Sequence, residues 1–215
     1  MKECETIVRR IADDRPGPIL DWGCGWGQVT HLLRLCGLDA TAFDYSPGLP
    51  EGTVAPLPRY PHIEAHLGPD PVKLPFATSS FGAVLSCGVL EHVARPEESL
   101  EEIRRVLRPG GIFYVFKLPN RASYLEWIAR RLGLYYHGAA EHDAVYSLES
   151  AVELLAGHGF EVVEGRRANM LPLTLTGRIA NRASPLLWAG NRALAAVPGV
   201  NRLATNIELV ARSTA

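Results

Sequence analysis

The nine residues Ile19-Leu20-Asp21-Trp22-Gly23-Cys24-Gly25-Trp26-Gly27 constrain this chain more than any other stretch. The apolar start reads as a buried strand. The alternate glycines read as a turn that needs positive φ or close backbone approach, and Gln28 to Cys36 read as a helix. Strand, glycine loop and helix in that order open an α/β unit whose loop and helix N-terminus face a ligand. The alternation continues downstream. Strands are expected at 38–43, ending at Asp44, then at 62–67, 81–87, 112–116, 159–163 and 206–211. Helices are expected at 3–12, 97–107, 121–134 and 147–157, the last capped by Ser147. Residues 47–61 hold Pro47, Pro50, Pro56, Pro58 and Pro61, so any crossover helix there must be short. The pattern predicts a doubly wound, mostly parallel sheet with a helical C-terminal insertion over 171–204, in one domain spanning 1–215.

Composition excludes several functions. With 22 Lys+Arg against 23 Asp+Glu, the net charge of −1 gives no field to gather nucleic acid. Cys4, Cys24, Cys36 and Cys87 contain no Cys-x-x-Cys pair, which argues against a zinc knuckle and fits a reducing compartment. The start, Met1-Lys2-Glu3-Cys4-Glu5, lacks the basic and apolar regions of a signal peptide. Ala183 to Val200, interrupted by Pro185, Asn191, Arg192 and Pro198, is a poor spanning helix. A cytoplasmic protein is the expectation.

Two ligand classes compete for the glycine loop. A dinucleotide site wants Gly-x-Gly-x-x-Gly, but Gln28 stands where its last glycine belongs. A carboxylate at Asp21 would repel a pyrophosphate, whereas a ligand carrying an ammonium and a sulfonium would be favoured beside it. The loop therefore suits S-adenosylmethionine better than NAD. Asp44 follows Gly27 by 17 residues, where α/β sites place an acid for ribose hydroxyls. An Asx turn with Ser46 and Pro47 is the simpler alternative there, as a ligand-free tight turn is for the loop.

Four further features carry a resemblance: Asp21 to Gly27; Phe43-Asp44-Tyr45-Ser46-Pro47; Asp70 to Phe76 followed by Ser80 to Ser86; and Val89-Leu90-Glu91-His92-Val93 followed by Leu107 to Gly111. In order and spacing the chain resembles the class I, Rossmann-like, S-adenosylmethionine-dependent methyltransferases, and is especially similar to the quinone-biosynthesis group. The resemblance covers residues 19–120 and implies a seven-stranded sheet. It implies that Gly23 and Gly25 line the methionine part, that Asp44 holds the ribose, and that Asp21, Cys24, Gly27 and Tyr45 belong to the same cofactor site. It implies that Asp70, Pro71 and Val72 meet the adenine, and that Ser86 and Cys87 approach the amino group or sulfonium. Gly82 stands where the family commonly has an aspartate.

Methyl transfer from a sulfonium asks mainly for alignment and exclusion of water, with a base if the acceptor is a hydroxyl. His92 is the candidate base, with a structural histidine beside Glu91 as the plainer reading. His137 and His142, near Tyr135, Tyr136 and Glu141, lie where this fold builds its acceptor wall. Metal binding by His137, His142 and Asp143 lacks a helical His-x-x-x-His pair, and no metal is expected. Ser86-Cys87-Gly88-Val89 is unlike the Asn/Asp-Pro-Pro-aromatic run of amino-group and adenine methyltransferases. It points away from nucleic acid and toward O- or C-methylation of a small or lipid-like metabolite. Segments 121–158 and 171–204 are then expected to cap the acceptor, the second as a lid or a membrane-surface contact. The sequence leaves the oligomeric state open. An NAD(P)-dependent reductase and a non-catalytic S-adenosylmethionine-fold scaffold are the competing classes.

Overall fold

A computed structural model of the chain describes residues 2–134, 143–170, 189–191, 193–194, 197 and 199–214. The expected acceptor-wall residues Tyr135 to His142 and most of the expected insertion, 171–188, lie outside them. Helix α1 (Lys2–Asp14) leads to β1 (Ile19–Trp22), α2 (Gln28–Leu35) and β2 (Ala40–Tyr45), and then to a hairpin of β3 (Thr53–Leu57) and β4 (Tyr60–Gly68). Strand β5 (Phe81–Cys87), a single turn at Leu90–His92, α3 (Pro96–Val106) and β6 (Leu107–Pro119) follow. The chain closes with α4 (Tyr124–Arg131), α5 (Leu148–Gly157), β7 (Phe160–Ala168), a turn at Val200–Leu203 and β8 (Asn206–Ser213).

The strands form one eight-stranded sheet in the order β3-β4-β2-β1-β5-β6-β8-β7. The pairs β4–β2, β2–β1, β1–β5 and β5–β6 are parallel, and only β3 and β8 run against the rest. The strand beyond the expected seven is β3. The prolines that forbid a crossover helix leave the return leg from β2 as an edge strand, where Pro56 has no ladder hydrogen bond to give up on the open side. Leu107 also behaves differently from its sequence pattern. It pairs with Phe81 as sheet, and the ladder resumes at Ile112 after a four-residue excursion through Arg108–Gly111.

Helices cover both faces, as double winding requires. Ile7, Val8 and Ile11 of α1 and Leu33 of α2 pack on Ile19, Ala83 and Leu85. Leu100, Ile103 and Val106 of α3 and Ala151 and Leu155 of α5 pack on Leu20, Val84 and Phe113 from the other side. Strands buried on both faces read as largely apolar runs, which is why β5 and the apolar start of β1 are visible in the sequence. Ser147 caps α5 in a reciprocal box with Ser150, each backbone N–H donating to the other's hydroxyl at 3.0 Å.

Position 82, where the resemblance implies an aspartate, has no room for a side chain. A Cβ on Gly82 would stand 1.7 Å from the Pro16 carbonyl oxygen, and the Gly82 amide donates to Pro18 at 2.9 Å. The Pro16–Pro18 loop is thus stitched onto the bare backbone of β5. Gly82→Ala is expected to cost roughly 2–3 kcal/mol by overpacking against backbone. A urea titration checks this: the midpoint should fall with the slope unchanged, and an unaltered midpoint refutes the close approach.

Candidate functional site

The registers Trp22↔Phe43, Trp22↔Ser86 and Cys87↔Phe116 bring the carboxyl ends of β2, β1, β5 and β6 to one edge of the sheet, where open α/β sheets hold ligands. The loop after β1 turns through Gly23, Gly25 and Gly27 at φ of 73°, 52° and 77°. The outer two glycines are there for packing: an added Cβ would lie 2.5 Å from Val89 Cγ2 at Gly23 and 2.2 Å from Leu57 Cδ1 at Gly27. Around Gly25 nothing lies within 4 Å of that position, so the middle of the loop presents bare backbone to open space. Cys24 is buried and its thiol is pushed up by that burial, so it stays protonated at neutral pH.

Two carboxylates organise the loop. Asp44 Oδ2 accepts from the Gly25 amide at 2.8 Å and Oδ1 from the Tyr45 amide at 2.9 Å, which ties the ends of β1 and β2 together. Burial raises the Asp44 pKa against the pull of those two amides. Each carboxylate oxygen retains a second lone pair for a hydroxyl donor. Asp21 behaves differently from its sequence expectation. Only 2 % exposed, it turns toward the start of α2 and accepts from the hydroxyl of Thr30 at 2.5 Å and from the Thr30 backbone. Gly27 supplies no side-chain cap to α2, so Asp21 caps that helix from the neighbouring strand. Burial pushes its carboxyl up to about 6. The anion position at the N-terminus of α2, which a pyrophosphate would use, is filled by the protein's own carboxylate.

The remaining sequence-predicted residues fall around the same edge. Asp70 follows β4 and is exposed. Its Oδ1 accepts from the amides of Lys73 at 3.0 Å and Val72 at 2.8 Å across Pro71, and those two bonds lower its pKa. The Val72 amide is therefore engaged within its own turn. Ser86 is enclosed, and its hydroxyl has no hydrogen-bond partner among the described residues. Cys87 is half-buried at the strand's end and packs toward α1 and α2.

His92 follows β5 on the short turn and is half exposed. Its Nδ1 lies 2.8 Å from Asp143 Oδ1, and its Nε2 lies 3.9 Å from Glu91 Oε1. The Asp143 side chain is 5 % exposed, so the ring is gripped by a carboxylate held inside the protein. The Ala144 amide donates to the Glu91 carbonyl at 2.7 Å and fixes that segment against the turn. In the sequence Asp143 stood out only as a weak metal candidate; no local pattern pairs it with a histidine 51 positions earlier. A second feature without a sequence signal is the irregularity of β6 between Val115 and Leu118, where Lys117 takes φ +60° beside the end of β5. Such bulges re-aim chains near active sites. His137 and His142 lie outside the described residues.

Residues 20–115 match the family described as a methyltransferase domain. The chain is 31 % identical over 149 residues to the demethylmenaquinone methyltransferase of Renibacterium salmoninarum, covering 64 % of this chain and 61 % of that protein. The curated relatives it matches first are longer, and it spans about three fifths of their length, 58 % and 61 %. Among solved structures, the Burkholderia thailandensis 1,6-didemethyltoxoflavin N1-methyltransferase, with bound S-adenosylhomocysteine, superposes with a TM-score of 0.60 at 18 % identity over 99 % of this chain and 77 % of that one. The [4+2]-cyclase SpnF superposes at 0.56 and 20 % identity, covering 95 % and 81 %. The domain match over residues 20–115 and these relatives make the chain similar to S-adenosylmethionine-dependent methyltransferases, and the superpositions show that it shares the class I methyltransferase fold.

Proposed function

We propose that the chain transfers a methyl group from S-adenosylmethionine to an oxygen or carbon of a small or lipid-like metabolite, with His92 as the base. The observation that carries this reading is the Asp21 carboxylate seated at the N-terminus of α2. It leaves no anion position for a dinucleotide, and it sets a negative charge beneath a loop whose middle residue, Gly25, faces open space. A cationic ligand on that loop lowers the cost of keeping Asp21 ionised. Asp44 is suited to ribose hydroxyls through its spare lone pairs, and Asp70 to the amino group of adenine through the oxygen its turn does not use. Cys87 is the more accessible of the two β5 residues for the methionine end.

S-adenosylmethionine supplies a methyl group on a sulfonium that departs as a neutral thioether. The chain's own residues align the acceptor, exclude water and move one proton. With Nδ1–H donating to Asp143, the His92 ring holds Nε2 in its basic form, and Nε2 takes the acceptor's proton as the new bond to the methyl forms. The segments 121–158 and 171–204 then serve as acceptor-side cap within one domain. The domain model's match ends at residue 115, and this reading assigns acceptor choice to the residues beyond it.

Three outcomes are expected. Calorimetry with S-adenosylhomocysteine should show binding that Asp44→Ala weakens by more than tenfold; equal affinity removes the ribose assignment. In a labelled-methyl assay against metabolite and lipid extracts, with the product identified by mass, His92→Ala should lower turnover roughly a hundredfold while S-adenosylhomocysteine affinity holds. Unchanged turnover excludes His92 as the base, and no turnover with any extract by the unaltered protein favours a scaffold.

The third outcome concerns pH. The Asp21 carboxyl binds its proton more tightly folded than unfolded, so its contribution to stability is present below about pH 4 and is lost as pH rises through about 6. Asp21→Asn lacks that titration. The stability of the variant relative to the natural chain should climb with pH across this window, by about 3 kcal/mol in all, following the two-unit displacement. Denaturant unfolding at pH 4, 6 and 8 measures it, and a difference that does not change with pH rejects the buried ionised carboxylate.

A further inference from the structure

At the carboxyl ends of β6 and β7 lies a cavity of about 470 Å³, lined by Arg121, Arg167 and Arg202 with Asn120, Ser147 and Glu149. The three arginines come from three different parts of the chain, and each backbone is anchored. The Arg121 amide donates to the Tyr146 carbonyl at 2.7 Å. The side-chain amide of buried Asn120 donates to the Arg202 carbonyl at 2.9 Å and to that of Ala204 at 2.7 Å. Arg167 sits in the β7–β8 ladder opposite Ile207.

The charges do not cancel. Glu149 pairs with Arg167 at 2.6 Å, while Arg121 and Arg202 form no ion pair with any described residue. Three arginines against one glutamate leave an excess of two positive charges among the residues that line this open cavity. The start of α5, at Ser147, adds the positive end of a ten-residue helix to the same wall. Guanidinium forks match the oxygens of a phosphate or a carboxylate in two-point contacts, and an oxyanion in the cavity relieves the repulsion among them.

We propose that this cavity binds an oxyanionic group, phosphate or carboxylate, and that it anchors the anionic end of the methyl acceptor. Anion binding stands by itself; the anchoring role rests on the methyl-transfer reading. Ser147 in the cavity wall stands four positions after Asp143, which grips His92, so their Cα atoms lie no more than about 14 Å apart. Base and cavity share the sheet edge to which β1, β2, β5 and β6 deliver their loops. The acceptor class narrows accordingly to metabolites that carry an anionic group within reach of the methylated atom.

The test titrates inorganic phosphate into the full chain by calorimetry at low ionic strength, beside the double variant Arg121→Gln/Arg202→Gln. Saturable binding is expected, weakened at least tenfold in the double variant, with S-adenosylhomocysteine affinity within twofold of the natural chain. Sedimentation with phosphatidylglycerol vesicles, lost in the same variant, identifies a lipid headgroup as the source of the anion; free phosphate binding without sedimentation identifies a soluble one. Absent saturation, or equal phosphate affinity in the double variant, overturns the proposal. Loss of S-adenosylhomocysteine binding by the unaltered chain, with phosphate binding intact, would instead sink the methyl-transfer reading and leave the anion site standing.

Discussion

One buried carboxylate sets the character of the site. Asp21 lies one residue before the end of β1, the strand at the centre of the parallel core, and it could have pointed its charge at solvent or ligand. It turns instead to Thr30 and caps a helix that begins with a glycine and has no cap of its own. The consequence reaches beyond helix stability. A helix N-terminus behind a glycine loop is ordinarily an anion site. Here the anion is covalently part of the protein, so the loop above meets a negative rather than a positive field. The same strand-loop-helix unit that elsewhere accepts a pyrophosphate is thereby biased toward a cation, and a single residue carries that inversion.

The loop is held by a second carboxylate working in another way. Asp44 reaches from β2 to the Gly25 amide, and the amides of Gly23 and Cys24 both donate to the Phe43 carbonyl at 2.9 Å. These bonds fix the loop before any ligand arrives. Packing does the rest: Val89 and Leu57 occupy the space that side chains at Gly23 and Gly27 would need. Preorganisation of this kind moves the entropic cost of ordering from binding to folding. The burial that raises the pKa of both Asp21 and Asp44 belongs to the same arrangement, since desolvated acids interact more strongly with a charged or hydrogen-bonding ligand than hydrated ones.

The strands buried on both faces were readable because they are largely apolar runs, and α5 because Ser147 stands directly before its periodic residues. Strand β3 was not, since Thr53 to Leu57 contains a proline and alternates weakly; it exists because β4 offers it a ladder. The start of β6 at Leu107 was hidden for a related reason: pairing with Phe81 precedes the Arg108–Gly111 excursion, which reads locally as a helix stop. The glycine loop and Asp44 were legible because their chemistry is local in sequence. The partners that give the site its geometry were not. Asp143 meets His92, and Thr30 meets Asp21, only through the fold, and the arginines at 121, 167 and 202 have no common period that a linear pattern can reveal.

This division also bears on what the family likeness can transmit. The match over residues 20–115 contains the loop, both organising acids and His92, but it stops before Asp143 and before every residue of the arginine-lined cavity. A fold shared with a [4+2]-cyclase as well as with an N-methyltransferase does not by itself dictate a reaction. What the first half of the chain determines is the polarity of its ligand loop. The second half carries the arginine-lined cavity and the carboxylate that meets His92. The carboxylate of Asp143 joins the two, because it anchors a histidine supplied by the matched half while standing on the segment that leads into the cavity.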